Sequence, residues 1–273
     1  MNGVFGIAGW QWLYIAEAVP ALVLAVVVWN YLTDRPRDAT WLEADERAWL
    51  VQRLEAERAQ RETAHRISAW QALANPKVLA LALVYFGAVA VNYGVGFFLP
   101  TIIKGFGLTT GMTTLVTAIP YAIGAAGMIW WGLRSDRKME RKGHAAIALA
   151  LAAAGVAAST MFGSPALRMA AFCVGAFGTF AVLPVFWTLP TAFLSGAAAA
   201  AGIAAINAIG NLSGFFGPFA VGYLKDATGS YSSGLLLMAA CAVVAMVVVL
   251  LMGHDTALEK APSRMPPGPM PAE

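Results

Sequence analysis

Two asparagines stand one helical turn apart inside an uncharged stretch of the chain. Asn207 and Asn211 lie between Ala197 and Leu224, where no charged residue occurs. This stretch is longer than the roughly 20 apolar residues that an α-helix needs to cross a bilayer, and the i, i+4 spacing places both amides on one face. An amide at membrane depth costs free energy unless it faces protein, water or a ligand. The pair therefore either binds a small polar ligand or bonds to a neighbouring helix.

Other polar side chains interrupt apolar stretches elsewhere in the chain. They include Asn92, Tyr93 and Trp187. Polar groups inside a membrane mark substrate or ion paths by default. An indole offers a flat apolar face and an N–H donor, while an amide offers donors and an acceptor to a hydroxyl or a carboxylate. With Asn207 and Asn211, these residues are the candidate substrate-binding set.

Glu17 lies in the first apolar stretch of the chain. A carboxylate at membrane depth can carry a coupled proton. However, Glu17 stands only about two helical turns from Trp10, a residue type that marks the membrane interface. A structural carboxylate, at the interface or paired within the bundle, is therefore the favoured interpretation, and a proton carrier is the alternative.

The sequence contains no recognisable motif of an enzyme. A nucleophile elbow, a Walker loop and a zinc-ligand cluster are all missing, and the three histidines are far apart in sequence, at His65, His144 and His254. The basic residues form no continuous stripe of the kind that binds nucleic acid. We therefore expect no catalytic site, no metal, no other cofactor and no nucleic-acid partner.

The composition is typical of a protein that crosses the membrane several times. Hydrophobic residues make up 59% of the 273 residues, charged residues only 12%, and the mean hydropathy is +0.66. Continuous apolar runs favour transmembrane helices over the alternating strands of a barrel. We predict an all-α polytopic membrane protein with seven transmembrane helices: Trp10–Leu32, Val78–Ile103, Met112–Leu133, His144–Phe162, Leu167–Leu189, Ala199–Leu224 and Ser232–Gly253.

Four segments follow from these spans. They are a transmembrane helix in residues 1–33, a charged segment in 34–77, a six-helix bundle in 78–253 and a Pro-rich tail in 254–273, which we predict to be disordered. In the charged segment, Thr40 and Glu43 fit a capping box, which predicts an amphipathic surface helix over Trp41–Arg61.

The distribution of basic residues predicts the orientation. Placing the charged segment, the Arg134–Lys142 loop and the tail on one side gathers 15 of the 18 Lys and Arg residues there. By the positive-inside rule this side is cytoplasmic. We therefore predict a multi-pass protein of the plasma (inner) membrane, with the N-terminus outside and the C-terminus in the cytoplasm.

The loop after the third span has a recognisable order of residues. It reads GLRSDRKMERKGH, with Gly132, Asp136, Arg137 and Arg141. This loop resembles the GxxxDR signature that the major facilitator superfamily places between the second and third helices of each six-helix half. The resemblance implies a cytoplasmic gating loop, in which the aspartate meets a helix N-terminus and the arginines tie neighbouring helices together.

Longer segments extend the resemblance along the chain. The segments GWQWLYIAEAVPA, NYGVGFFLPTIIK and FWTLPTAFLSGAAAAAGIAAINAIGNLSGFFGP are similar to the anion:cation symporter family of that superfamily. The match implies that the first span is helix six of twelve, that residues 34–77 form the central cytoplasmic loop, and that the later spans are helices seven to twelve. It also assigns Trp187 and Asn207 to the substrate cavity, and then Asn92, Tyr93 and Asn211.

The resemblance implies the C-terminal portion of a secondary transporter that carries small organic anions together with protons. Sugar acids, dicarboxylates and aromatic acids are the implied substrates, and the partners are the bilayer and either an N-terminal half or another protomer. Helices one to five, which in the family hold the carboxylate-binding and proton-binding residues, are not in this sequence; a gene fragment or incomplete reading frame would explain that.

Two other classes fit seven spans. One is a seven-helix receptor or photoreceptor, although a retinal protein would need a lysine in the last span and Ser232–Gly253 has none. The other is a membrane subunit that transports nothing and only pairs with another chain.

Overall fold

The computed structural model describes residues 3–64, 71, 74–193 and 196–252. Within these ranges the secondary structure is helical and contains no β-strand. Seven of the helical spans are long and apolar enough to cross a bilayer. The chain is therefore an all-α polytopic membrane protein, as predicted. It divides into two compact units, Met1–Ala64 and His65–Glu273.

The N-terminal unit contains helix α1, Gly9–Tyr31, and helix α2, Ala44–Ala64. The backbone N–H of Glu43 donates to Glu46 Oε2 at 3.3 Å, immediately before α2. The predicted capping box at Thr40 was therefore wrong. Helix α2 starts later than expected because the side chain that accepts from the entering backbone is three residues further along.

The bundle unit contains the remaining helices. Asn75 caps the first of them by accepting from the Lys77 N–H at 2.9 Å, and Thr109 caps the second by accepting from the Met112 N–H at 3.4 Å. The helices are α3 Pro76–Lys104, α4 Thr110–Lys138, α5 Arg141–Met161, α6 Pro165–Phe193, α7 Gly196–Asn211, α8 Ser213–Thr228 and α9 Ser232–Leu251.

Helices α3 and α6 organise the bundle. Helix α3 packs against α7, α8 and α9, while α6 packs against α4 and α5, and α5 also meets α9. Two clusters of buried apolar side chains fill the space between them. One is centred on Leu81, Leu149 and Phe186, and the other on Leu99, Val156 and Leu235.

Helices α5 and α6 approach each other through their backbones. A Cβ atom added to Gly155 would lie 2.2 Å from the backbone nitrogen of Gly175, and one added to Gly178 would lie 2.3 Å from the backbone nitrogen of Ala152. Only glycine leaves room for this contact. Small residues at such crossings are typical of membrane bundles, where close packing replaces the hydrophobic driving force.

The predicted span Ala199–Leu224 lies within one membrane-spanning stretch, Ala199–Thr228, which contains a tight turn at Leu212. Helix α7 ends at Asn211 and α8 begins at Ser213, with Leu212 between them. The Leu212 N–H donates to the Ile209 carbonyl, a tighter turn than an α-helix makes, and Ser213 Oγ donates to the Gly210 carbonyl at 2.6 Å. A serine that bonds back to the preceding turn commonly bends a helix.

The predicted Arg134–Lys142 loop is mostly helical. Helix α4 continues to Lys138 and α5 begins at Arg141, so Met139 and Glu140 form the whole connection. Met139 adopts a left-handed conformation, with φ of 51°. Apart from Glu140, the charged residues expected in a loop therefore lie on helical turns of α4 and α5.

Candidate functional site

Side chains from three helices converge on Tyr85 of α3. Its ring meets the Trp187 ring of α6 edge-on at 4.9 Å and stacks on Phe186 at 5.1 Å. The Tyr85 hydroxyl also interacts with the side chains of Trp187 and of Asn211 on α7. We call Tyr85, Trp187, Asn207 and Asn211 the amide cluster. Three of its four members were predicted site residues, and the structure brings them together.

The two asparagines of the amide cluster are bonded to each other. Asn211 Nδ2 donates to the Asn207 backbone carbonyl at 2.9 Å and also to Asn207 Oδ1. These bonds orient the Asn207 side chain. Its own Nδ2 donates to no partner among the residues that the structure describes, and the residue is exposed. Asn207 is therefore able to donate a hydrogen bond to a ligand.

The sequence reasoning missed Tyr85. Its position depends on Gly210, which stands between the two asparagines: a Cβ atom there would lie 2.1 Å from Tyr85 Cδ1. The tyrosine ring thus occupies the space that any other residue at 210 would fill. A tyrosine in an apolar span was a weak signal, because nothing local in the sequence indicates that this ring meets Gly210.

Asn92 and Tyr93 are neighbours in sequence but face different parts of the bundle. The Tyr93 ring faces Gly214 of α8, at 3.2 Å from the Cβ position of that glycine, and is 46% exposed. Asn92 instead lines a narrow cavity with Tyr121 and Thr179. That cavity has room for only about two water molecules. The structure therefore places Asn92 outside the amide cluster.

Two of the predicted gating residues, Asp136 and Arg141, meet at the α4–α5 connection. Arg141 forms a hydrogen-bonded ion pair with Asp136, and its Nη1 also donates to Ser135 Oγ at 3.3 Å. Ser135, fully buried, donates in turn to the Glu140 carbonyl at 3.1 Å. We call this network the Asp136–Arg141 junction. It ties the end of α4 to the start of α5.

The other two gating residues differ in their surroundings. Gly132 packs against Pro184 of α6, with 3.5 Å between its Cβ position and the proline ring. Arg137 is exposed and has no ion-pair partner among the described residues. Gly132 therefore extends the contacts of the junction to α6, whereas Arg137 faces solvent.

Two contacts near the junction were not predicted. Trp131, buried to 8% exposure, donates from Nε1 to the His144 carbonyl at 3.0 Å. Lys142 Nζ donates to the Met252 carbonyl at 2.7 Å and so caps the C-terminus of α9. Because Lys142 and Met252 are 110 residues apart, no spacing rule could have paired them.

Glu17 lies on α1, in the N-terminal unit, and it stays a prediction as a proton or structural carboxylate. The described residues contain no group of three or more His, Cys, Asp or Glu side chains that could hold a metal ion. The chemistry of the bundle site is therefore that of neutral hydrogen-bond donors beside aromatic rings.

Comparison with known proteins agrees with this architecture. The sequence model of the Major Facilitator Superfamily matches residues 2–218. The chain belongs to the major facilitator superfamily.

Curated relatives of this superfamily member cover more sequence than it does. "Putative tartrate transporter" of Agrobacterium vitis is 46% identical over 93% of this chain and 58% of the relative. "Inner membrane transport protein RhmT" of Escherichia coli is 37% identical over 91% and 58%. "Quinolone resistance transporter" of Acinetobacter baumannii is 36% identical over 92% and 58%. The chain thus spans little more than half the length of these relatives.

We expect the Asp136–Arg141 junction to contribute measurably to bundle stability. Arg141→Gln should lower the free energy of unfolding by about 1 to 2 kcal/mol. It removes the charge-assisted bond to Asp136 and the hydrogen bond that the buried Ser135 hydroxyl accepts from Arg141. Arg137→Gln is the matched control and should change it by less than about 0.5 kcal/mol. The measurement is reversible unfolding in mixed detergent micelles. Equal effects of the two substitutions would contradict a structural role for the junction.

Proposed function

We propose that this chain forms one wall of the substrate site of a secondary transporter for small organic anions. The observation that carries the proposal is the exposed Asn207 amide, whose Nδ2 has no partner among the described residues and which stands in the same cluster as Trp187. Membership of the major facilitator superfamily supports it, since that fold places substrate between two six-helix halves near the bilayer midplane.

The chemistry of the amide cluster suits an organic acid that also carries hydroxyl groups or a ring. Asn207 can donate to a carboxylate or hydroxyl oxygen, and the indole of Trp187 offers an apolar face to the carbon skeleton. The name of one relative specifies tartrate, a dicarboxylate with two hydroxyls. Sugar acids and aromatic acids share enough of these groups to be proposed alongside it.

The amide cluster is open on one side. Asn207 and Asn211 are both exposed, although they lie within a membrane-spanning stretch. Amides in contact with lipid would each cost on the order of 1 to 3 kcal/mol. We infer that further helices, from an N-terminal half or from another protomer, cover this face. The basic group that neutralises the anion and the acidic group that carries a coupled proton would then belong to those helices, with Glu17 as a further candidate for the proton.

The proposed topology puts the Asp136–Arg141 junction in the cytoplasm of a plasma (inner) membrane protein. Single cysteines at Lys138 and Lys104, both exposed and at opposite ends of the bundle, test it in a background without Cys173 and Cys241. We expect an impermeant thiol reagent added to intact cells to label the cysteine at 104 and to spare the one at 138. Labelling at 138 with no reaction at 104 would reverse the orientation.

Uptake measurements test the need for a second wall. The chain, expressed alone or with a six-helix N-terminal half from a related permease, would be assayed with radiolabelled L-tartrate, gluconate and benzoate under a proton gradient. We expect uptake that collapses with the gradient only on co-expression, because one half supplies one wall of the site. Gradient-driven uptake by the chain alone would contradict the requirement for helices from a different polypeptide.

Within that co-expressed transporter, Asn207 should matter more than Asn211. We expect Asn207→Ala to weaken the apparent affinity by about 10-fold or more, because a hydrogen bond to a charged group contributes about 1.5 to 3 kcal/mol. Asn211→Ala, the matched control from the adjacent turn, should have a smaller effect, since the Asn211 amide already donates to Asn207. Small and equal effects on affinity would remove Asn207 from the site.

A further inference from the structure

A pocket of about 230 Å³ opens at the end of the bundle opposite the Asp136–Arg141 junction. We call it the end pocket; Thr101 of α3, Arg168 of α6 and Tyr231 before α9 stand around it, together with the end of α5. Its volume is smaller than the roughly 300 to 1,000 Å³ typical of pockets for drug-sized ligands, and it suits a smaller molecule. None of its lining residues belongs to the amide cluster.

Arg168 is the charged residue of the end pocket. The side chain is half-buried, and its Nε donates to the Phe162 carbonyl at 2.7 Å, which fixes the plane of the guanidinium. The two terminal nitrogens donate to no group in the described part of the chain. None of the described residues that line the pocket is acidic. A fixed guanidinium with two available nitrogens is suited to a two-point contact with a carboxylate or phosphate.

The other polar groups of the end pocket favour the same charge. Tyr231 lines it, and its hydroxyl bonds to nothing among the described residues. Helix α9 begins beside it at Ser232, so the positive end of the helix dipole lies at the pocket wall. Ser159 and Thr160 also line the pocket, but they donate to carbonyls of their own helix at 2.6 and 2.7 Å. Arg168 and Tyr231 are therefore available to donate to a ligand, and the Thr101 hydroxyl, which donates to no group in the described part of the chain, also lines the pocket.

An apolar floor closes the end pocket. Phe172 and Leu235, buried to 3% and 4% exposure, lie beneath the polar groups. Phe172 also borders the narrow cavity that contains Asn92, so its ring separates the two spaces. A ligand in the end pocket would have its anionic group at Arg168 and its carbon skeleton against this floor.

We propose that the end pocket binds a small oxyanion, either a carboxylate or a phosphate group, through Arg168 and Tyr231. The site is separate from the amide cluster and does not require that the chain transports anything. The source of the oxyanion is either a free organic or inorganic anion or the headgroup of an acidic lipid.

Charge-selective labelling tests the proposal on the full chain. A reporter cysteine replaces Thr101, in a background with Cys173→Ala and Cys241→Ala, and the protein is reconstituted in phosphatidylcholine nanodiscs. Rates with an anionic and a cationic methanethiosulfonate reagent are compared. We expect Arg168→Gln to lower the anionic-to-cationic rate ratio roughly 3- to 10-fold, because it removes a positive charge close to the reporter. We also expect millimolar L-tartrate or inorganic phosphate, at constant ionic strength, to slow labelling unless Arg168 is replaced.

Matched variants separate a site from general surface charge. Lys104→Gln removes one positive charge at the same end of the bundle without touching the pocket lining, and it should leave protection by L-tartrate and phosphate intact. Arg168→Lys should keep most of the rate ratio, and Tyr231→Phe should weaken protection. Helix content and monodispersity establish that each variant is folded. Equal loss of protection in Arg168→Gln and Lys104→Gln, or no protection in the parent, would overturn the proposal.

A comparison of nanodiscs with and without an acidic lipid distinguishes the two sources of the oxyanion. The parent and Arg168→Gln proteins are compared in nanodiscs that also contain phosphatidylglycerol. If the headgroup occupies the pocket, labelling of the parent slows without any added anion, and L-tartrate protects no further. If a free anion is the ligand, the lipid changes little and protection by L-tartrate persists. Because no transport is measured, failure here is independent of the outcome of the uptake experiments.

Discussion

Backbone contact between helices is the constraint on which the bundle depends. In a bilayer the lipid is as apolar as the side chains, so helices associate through close packing rather than through removal of apolar surface from water. Gly155 and Gly178 let α5 and α6 touch backbone to backbone. The same device acts at the amide cluster, where Gly210 admits the Tyr85 ring and thereby brings α3 against α7. Tyr85 in turn contacts Trp187 and Asn211. The arrangement of these side chains therefore depends on the absence of a side chain at Gly210.

The sequence predicted the features that depend on residues close together in the chain. It did not predict contacts between residues that are far apart in the chain. The length and hydropathy of each span indicated its helix, because crossing a bilayer fixes both. The i, i+4 spacing of Asn207 and Asn211 likewise predicted their shared face, and the two amides are indeed bonded. Asn92 and Tyr93 show the limit: both are polar groups in one span, yet they face different helices. Which face meets which neighbour is decided by packing over long sequence separations, as is the Lys142 contact with Met252.

The tight turn at Leu212 is a local feature that hydropathy does not predict. Hydropathy treats residues 199–224 as one span, and for membrane crossing they are one. The backbone nevertheless tightens at Leu212, where Ser213 bonds back to the Gly210 carbonyl. Interrupted helices in transporters occur where backbone lines a cavity rather than lipid. Here the tight turn directly follows Asn211, so Asn207 and Asn211 lie in the last two turns of α7.

The amide cluster consists of neutral groups, whereas the basic residues of the bundle stand near helix ends. Within the described part of the bundle, Lys and Arg residues stand near helix ends: Arg141 and Lys142 bond at one end, and Arg168 lines the pocket at the other. A charge held at mid-membrane in an empty site would need a permanent partner. An amide needs none, because its cost when unoccupied is a few kcal/mol at most. In the proposed transporter, a wall of neutral donors would bind and release an anion without first breaking an ion pair, and the facing helices would neutralise the anion's charge.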